Sequence, residues 1–180
     1  MIRPDISDVR INFTDGYGLY GEPKVAPREV TLYGPEEALS HITELKALPV
    51  EINDVSKSRS YQIGIDTSWK QYGDIYASTE ELTLTLPVEN YVERQYTLPV
   101  TVEGLDTSVH LRLYPEQVVV QVWVAQRDIA SVTAERFSVS ADYGDILAGA
   151  PRLTLRLSRF PESVRPRAII PSEAQYVIIK

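Results

Sequence analysis

A chain of 180 residues with 43% hydrophobic content has material for one ordinary domain or two small ones, and it has no cysteine, which excludes a disulfide framework, a thiolate metal site and a cysteine nucleophile. A net charge of −7 argues against nucleic acid, because grip on phosphates comes largely from Lys and Arg and the counterions they release. The acidity is N-terminal: residues 1–100 hold sixteen acidic and nine basic side chains, residues 101–180 nine of each.

The opening RPDISDVRINF sets apolar alternation (Val9, Ile11, Phe13) behind a proline, much as IPSEAQYVII does near the other end. Residues 1–13 therefore read as the last strand of a preceding unit. Next comes Gly16-Tyr17-Gly18-Leu19-Tyr20-Gly21, a literal G-x-G-x-x-G. A dinucleotide loop needs that motif to open a helix, and Pro23 and Pro27 follow at once, so the glycines predict a turn. Pro27, which cannot donate to a ladder, starts a strand in which Val30 and Leu32 alternate with Thr31 and Tyr33. Gly34 breaks it, and Pro35, Glu36 and Glu37 suit a helix's first turn. Leu39, Ile42 and Leu45 then predict a helix over 35–46 with one stripe on the sheet. Beyond it the period is two almost throughout: Val50/Ile52, Tyr61/Ile63/Ile65, Leu82/Leu84/Leu86, Tyr96 to Val102, Val109 to Leu113, Val118 to Val124, Phe137 to Ala141 and Leu153 to Leu157. Pro87 and Pro99 fall inside apparent strands and mark edges or bulges. No eighteen-residue apolar run occurs, and MIRPDISDV lacks a signal peptide's basic-then-apolar order, so the expectation for the chain as given is a soluble one.

Two halves can be superposed. VAPREVTLYG (25–34) lies on LYPEQVVVQV (113–122), ALPVEINDV on RFSVSADYG, YQIGID on LTLRLS with Tyr61 over Leu153, and TEELTLTL on PSEAQYVI. The offset drifts only from 88 to 92 residues. Tandem units over 14–92 and 93–180 follow, with a seam at Asn90–Gln95. The second has Val122-Trp123 where the first has Gly34-Pro35, so its strand should run longer.

The ordered set GYGL, P-x-x-V-x-L-x-G-P, an apolar helix, V-x-I-x-D-V and T-L-P-V-E resembles the YbbR-like domain family. Gly16–Leu19, Pro27, Val30, Leu32, Gly34, Pro35, Ile42, Val50, Ile52, Val55 and Leu86–Glu89 carry it, strongly in the first half and as a divergent repeat in the second. The resemblance implies an all-β tandem module with one short helix, carried outside the cytoplasmic membrane behind an anchor absent from this sequence. It also implies a protein partner at the membrane, some members resembling regulators of diadenylate cyclases. It brings no catalytic residues.

The residues themselves supply no coherent chemistry. His41 and His110 are the only histidines, and any histidine-based acid–base or metal site must use one of them, yet neither has convincing company. Glu36/Glu37 has a helix-terminus explanation, while Glu80/Glu81, adjacent in a strand, points to opposite faces. Asp142-Tyr143-Gly144-Asp145 lacks the calcium-loop pattern and reads as a turn. Arg152, Arg156, Arg159, Arg165 and Arg167 mostly alternate with leucines as a solvated strand face. The remaining hint is a set of aromatics in or near expected loops, Tyr17, Tyr20, Tyr33, Trp69, Tyr72 and Tyr76, of a kind that serves protein contact or sugar stacking. The expectation is a non-enzymatic regulatory module with no cofactor, no metal and no assigned binding residues, and an extracellular carbohydrate-binding module as the alternative.

Overall fold

A computed structural model describes residues 1–179 and divides the chain into two compact units, the first Met1–Asn90 and the second from Tyr91 on. It is an all-β protein with two very short helices.

The first unit runs β1 (Pro4–Asp5), β2 (Val9–Phe13), β3 (Tyr17–Leu19), β4 (Lys24–Ala26), β5 (Leu32–Tyr33), α1 (Glu36–Leu39), β6 (Leu45–Lys46), β7 (Val50–Val55), β8 (Arg59–Gly64), a 3-10 turn at Ser68–Tyr72, β9 (Tyr76–Ala77) and β10 (Glu81–Leu86). Its antiparallel sheet has the order β4-β10-β8. The central strand shows why: Leu82, Leu84 and Leu86 are fully buried while Thr83 and Thr85 face the other way, the two-residue period of a half-buried strand. Val30, Leu45, Val55, Ile63, Ile65 and Trp69 complete that core.

Residues 1–13 fall within the first unit. β1 and β2 pair in parallel with β6 and β7, and Ile2 exchanges backbone hydrogen bonds with Val30. Their alternation marks a strand but says nothing of which sheet it enters. The helix expected over 35–46 is also curtailed. Only four residues are helical, with Ala38 alone buried. After them His41 and Ile42 donate to the carbonyls three residues back, Ala38 and Leu39, a tightening that ends a helix. Leu45 then enters β6. A spacing of three cannot separate one long helix from a short one followed by an extended return.

β11 (Val88–Glu103) begins in the first unit, where Val88, Glu89 and Asn90 pair with β3, and from Tyr91 it belongs to the second, which goes on with β12 (His110–Tyr114), β13 (Gln117–Ala125), β14 (Ser138–Asp142), α2 (Tyr143–Leu147), β15 (Leu153–Thr154), β16 (Arg156–Arg159), β17 (Val164–Ile170) and β18 (Glu173–Ile179). One sheet has the order β16-β14-β11-β13-β17, the other β12-β18-β15. Pro99 sits where β11 changes partner, antiparallel to β13 as far as Pro99 and parallel to β14 from Val100. A residue without an N–H fits such a switch. Val118, Val120, Val122 and Val124 form a nearly water-free row. The turn expected at Asp142–Asp145 is instead the start of α2, capped by the Asp142 carboxylate, which accepts the Gly144 N–H at 2.8 Å.

The units share register as well as strand order. Ala26 lies opposite Thr83 as Tyr114 lies opposite Gln175, and Leu32 opposite Ala77 as Val120 opposite Ile169. One superposition shifts: opposite Leu82 and Ala174 stand Ile63 and Leu153, so Leu153 answers to Ile63, not Tyr61. β13 spans nine residues against two in β5, as the exchange of Val-Trp for Gly-Pro predicts.

Candidate interaction surface

The first unit's most exposed aromatics are placed by a very short strand pair. β5 and β9 set Tyr33 directly opposite Tyr76 and Leu32 opposite Ala77. Opposed residues share a face, so Leu32 and Ala77 pack on the core while Tyr33 and Tyr76 stand outward, 57% and 69% exposed. Gly34 ends β5 at a close approach. A Cβ there would lie 3.0 Å from the Asp74 carbonyl oxygen and 3.1 Å from Ile75 Cγ1, so only glycine lets the two backbones meet without one shifting. Pro35 then turns the chain into α1, with Glu36 and Glu37 exposed in its first turn. On the other side Gly73 takes φ +139°, a conformation that L side chains rarely adopt.

Tyr72, at the end of the 3-10 turn, is half exposed and stacks on His41, centroids 5.3 Å apart and planes 20° from parallel. The pair walls a cavity of about 270 Å³ to which Thr43, Glu44, Asp66 and Trp69 also contribute. Trp69 is 4% exposed and its indole Nε1 has no hydrogen-bond partner, a costly arrangement for a buried donor. Asp66 accepts the Ser68 N–H at 2.9 Å, which starts the turn carrying Trp69. The two lysines nearby are engaged: Lys46 with Glu44 at 3.6 Å, and Lys70 with Glu80 at 2.6 Å and over the Trp69 ring.

The remaining candidates do not assemble a site. His110 is exposed on β12. Gly16 and Gly21 take positive φ at either end of β3, and no helix follows them, so no phosphate cradle forms. Glu81 opens β10 apart from Glu80's ion pair. Tyr17 and Tyr20 are half-buried. The arginine stripe is occupied: Arg152 with Glu173, Arg156 with Glu103, Arg159 on the Glu135 carbonyl, Arg167 with Glu93, and Arg165 over Tyr91 at 4.3 Å. Among the described residues no three His, Asp or Glu converge as metal ligands, and no helix is long and apolar enough to cross a membrane.

Sequence reasoning singled out Tyr33, Tyr72, Tyr76 and Trp69 one by one as loop aromatics. It missed that the first and third oppose each other, that His41 belongs to the group, and that Trp69 is core. The alternation through Leu32 and Tyr33 is legible, but nothing in the two residues of β9 names them as its partner, and the His41–Tyr72 contact is long-range.

The first unit is thus a small β module offering an aromatic, acidic surface. Residues 6–68, from the approach to β2 into the 3-10 turn, match the family model for YbbR-like proteins, so this stretch of the first unit is similar to that family. The second unit lies outside that match. Comparison with curated proteins and with solved structures matched nothing.

Proposed function

We propose that the protein is a non-catalytic interaction module which, held at the outer side of a cytoplasmic membrane by an anchor beyond this sequence, regulates a membrane-bound protein. The observation that carries this reading is the paired exposure of Tyr33 and Tyr76 on a scaffold whose titratable side chains are spread over ion pairs and isolated strand positions. Large amphipathic aromatics on a preformed surface give contact area at low entropic cost. The YbbR-like match supports the placement and makes a diadenylate cyclase the first partner to try.

Protease treatment of the native protein in intact cells, in cells stripped of any outer barrier and in detergent tests the location. Cleavage before detergent, with the protein in the membrane fraction, is expected; protection until the cytoplasm is opened overturns the placement. Turnover of a nucleotide, ester or glycoside by the purified protein overturns the non-catalytic reading. The same tyrosines favour a second reading, sugar stacking by a carbohydrate-binding module. Tyr76-dependent binding on a glycan array would select it.

A further inference from the structure

The tyrosine face has a charge as well as a shape. Tyr33 is followed within four residues by Glu36 and Glu37, and Tyr76 is preceded by Asp74, whose backbone touches Gly34; all three carboxylates lie on exposed residues. No arginine or lysine occurs between Glu29 and Glu44 or between Gln71 and Glu89, and Lys46 and Lys70 are paired elsewhere. Residues 1–90 carry fifteen acidic side chains against eight basic, whereas the rest of the chain carries ten of each. The places of Tyr33 and Tyr76 are taken in the second unit by Gln121 and Ala168, an opposed pair with neither ring nor charge. The surface is therefore a property of the first unit alone and not of the β scaffold.

Resting on the reading of this protein as an interaction module, we propose that the face formed by Tyr33, Tyr76 and the carboxylates of Glu36, Glu37 and Asp74 docks a basic, arginine- or lysine-bearing segment of a protein partner. A guanidinium or ammonium is attracted both to the negative face of a tyrosine ring and to a flanking carboxylate, and the two attractions act together in one place. Arginine suits it better, since its planar group stacks on a ring while its N–H groups reach a carboxylate. Anionic lipids and nucleic acids are repelled by the same charge. A second copy of this chain fits poorly, because its clustered arginines are engaged with Glu173, Glu103, Glu93 and Tyr91.

The test uses the full chain and three synthetic peptides of equal length, alternating valine with arginine, with glutamine or with glutamate. Amide NMR shifts and titration calorimetry are the readouts. The arginine peptide is expected to shift residues 31–37 and 72–77, to bind more weakly as salt rises, and to lose at least about tenfold in affinity when Tyr33→Ala and Tyr76→Ala are combined. Glu36→Gln with Asp74→Asn should weaken binding and flatten its salt dependence while the tyrosines remain. Shifts spread over the acidic residues of the whole first unit, or equal binding of the glutamine peptide, overturn the proposal. A photocrosslinker at Tyr76 in cells separates the two levels of argument. A crosslink to a basic segment of a membrane-bound protein supports both, and one to a neutral or acidic segment overturns this proposal while the module stands. Failure to crosslink any protein from Tyr76 or from the other exposed faces overturns the interaction module itself.

Discussion

Two residues separate the first unit from the second at the point where their strands diverge. Val122 and Trp123 let β13 run on for its full nine residues beside β17, each valine of the row buried. Gly34 and Pro35 stop the corresponding strand after Leu32–Tyr33, and the chain drops into α1. A broad sheet results in one case. In the other a stub of sheet holds two tyrosines up to solvent beside a stacked His41–Tyr72 pair. The sheet register around both places is the same, so a shared fold supports the surface and the local breaker residues create it.

The most disruptive way to break the comparison lies in the core. Leu82 and Ala174 occupy equivalent places, 0% and 1% exposed, yet differ by three carbons. Leu82→Ala should cost the first unit about 2–5 kcal/mol, as expected of a buried leucine whose neighbours cannot fully collapse. Ala174→Leu should cost the second about 1–3 kcal/mol by overpacking. Hydrogen exchange followed by mass spectrometry assigns each loss to its unit. A Leu82→Ala protein with unchanged exchange over β8 and β10 would show that this place is not a packed core.

Gly34→Ala comes next. The added methyl meets the Asp74 carbonyl oxygen at 3.0 Å, and because that atom is backbone it cannot swing aside. A cost of about 1–3 kcal/mol and faster exchange over 31–33 and 75–78 are expected. Unchanged exchange would mean that β5 and β9 are not held together by this approach.

These places also show what the sequence disclosed. Leu82, Leu84 and Leu86, and the valines from 118 to 124, announce their strands because a half-buried strand writes its period directly into the chain. The longer β13 was legible because glycine and proline act locally. The helix length was not, because Leu39, Ile42 and Leu45 satisfy a helix and a helix-then-strand equally well, and the choice falls to β6 pairing with β1. The fate of residues 1–13 likewise depends on parallel partners some forty residues away. The surface was half legible: its tyrosines could be named, but their opposition arises from pairing across residues 33 and 76.

A smaller effect belongs to the second unit alone. Arg167 lies over Trp123, 5.7 Å from its centroid, and pairs with Glu93, at a position where the first unit has Pro35. The partners are substantially exposed, so Arg167→Ala should cost at most about 1 kcal/mol. A change in tryptophan fluorescence should accompany it. Emission identical to the parent protein would mean that the guanidinium does not rest on the ring in solution.

The smallest expected effect is one that the units should share. Asp5 accepts the Ser7 N–H at 2.9 Å and the Ser7 hydroxyl at 3.0 Å; Asp106 does the same with Ser108 at 2.9 and 2.8 Å. In both, the backbone N–H bond first and the hydroxyl bond second hold the carboxyl below its ordinary range. A folded-state value below the unfolded one means that the stabilisation is fully present above about pH 4, the ordinary carboxylate range, and is lost as pH falls through the depressed value. Asp5→Asn should therefore lessen the acid sensitivity of exchange around β1 and β6 and leave the second unit untouched, with Asp106→Asn doing the reverse ahead of β12. Acid limbs that change in neither variant would mean that these turns form equally well in the unfolded chain. A change in both units from one substitution would mean that the two do not unfold independently in acid.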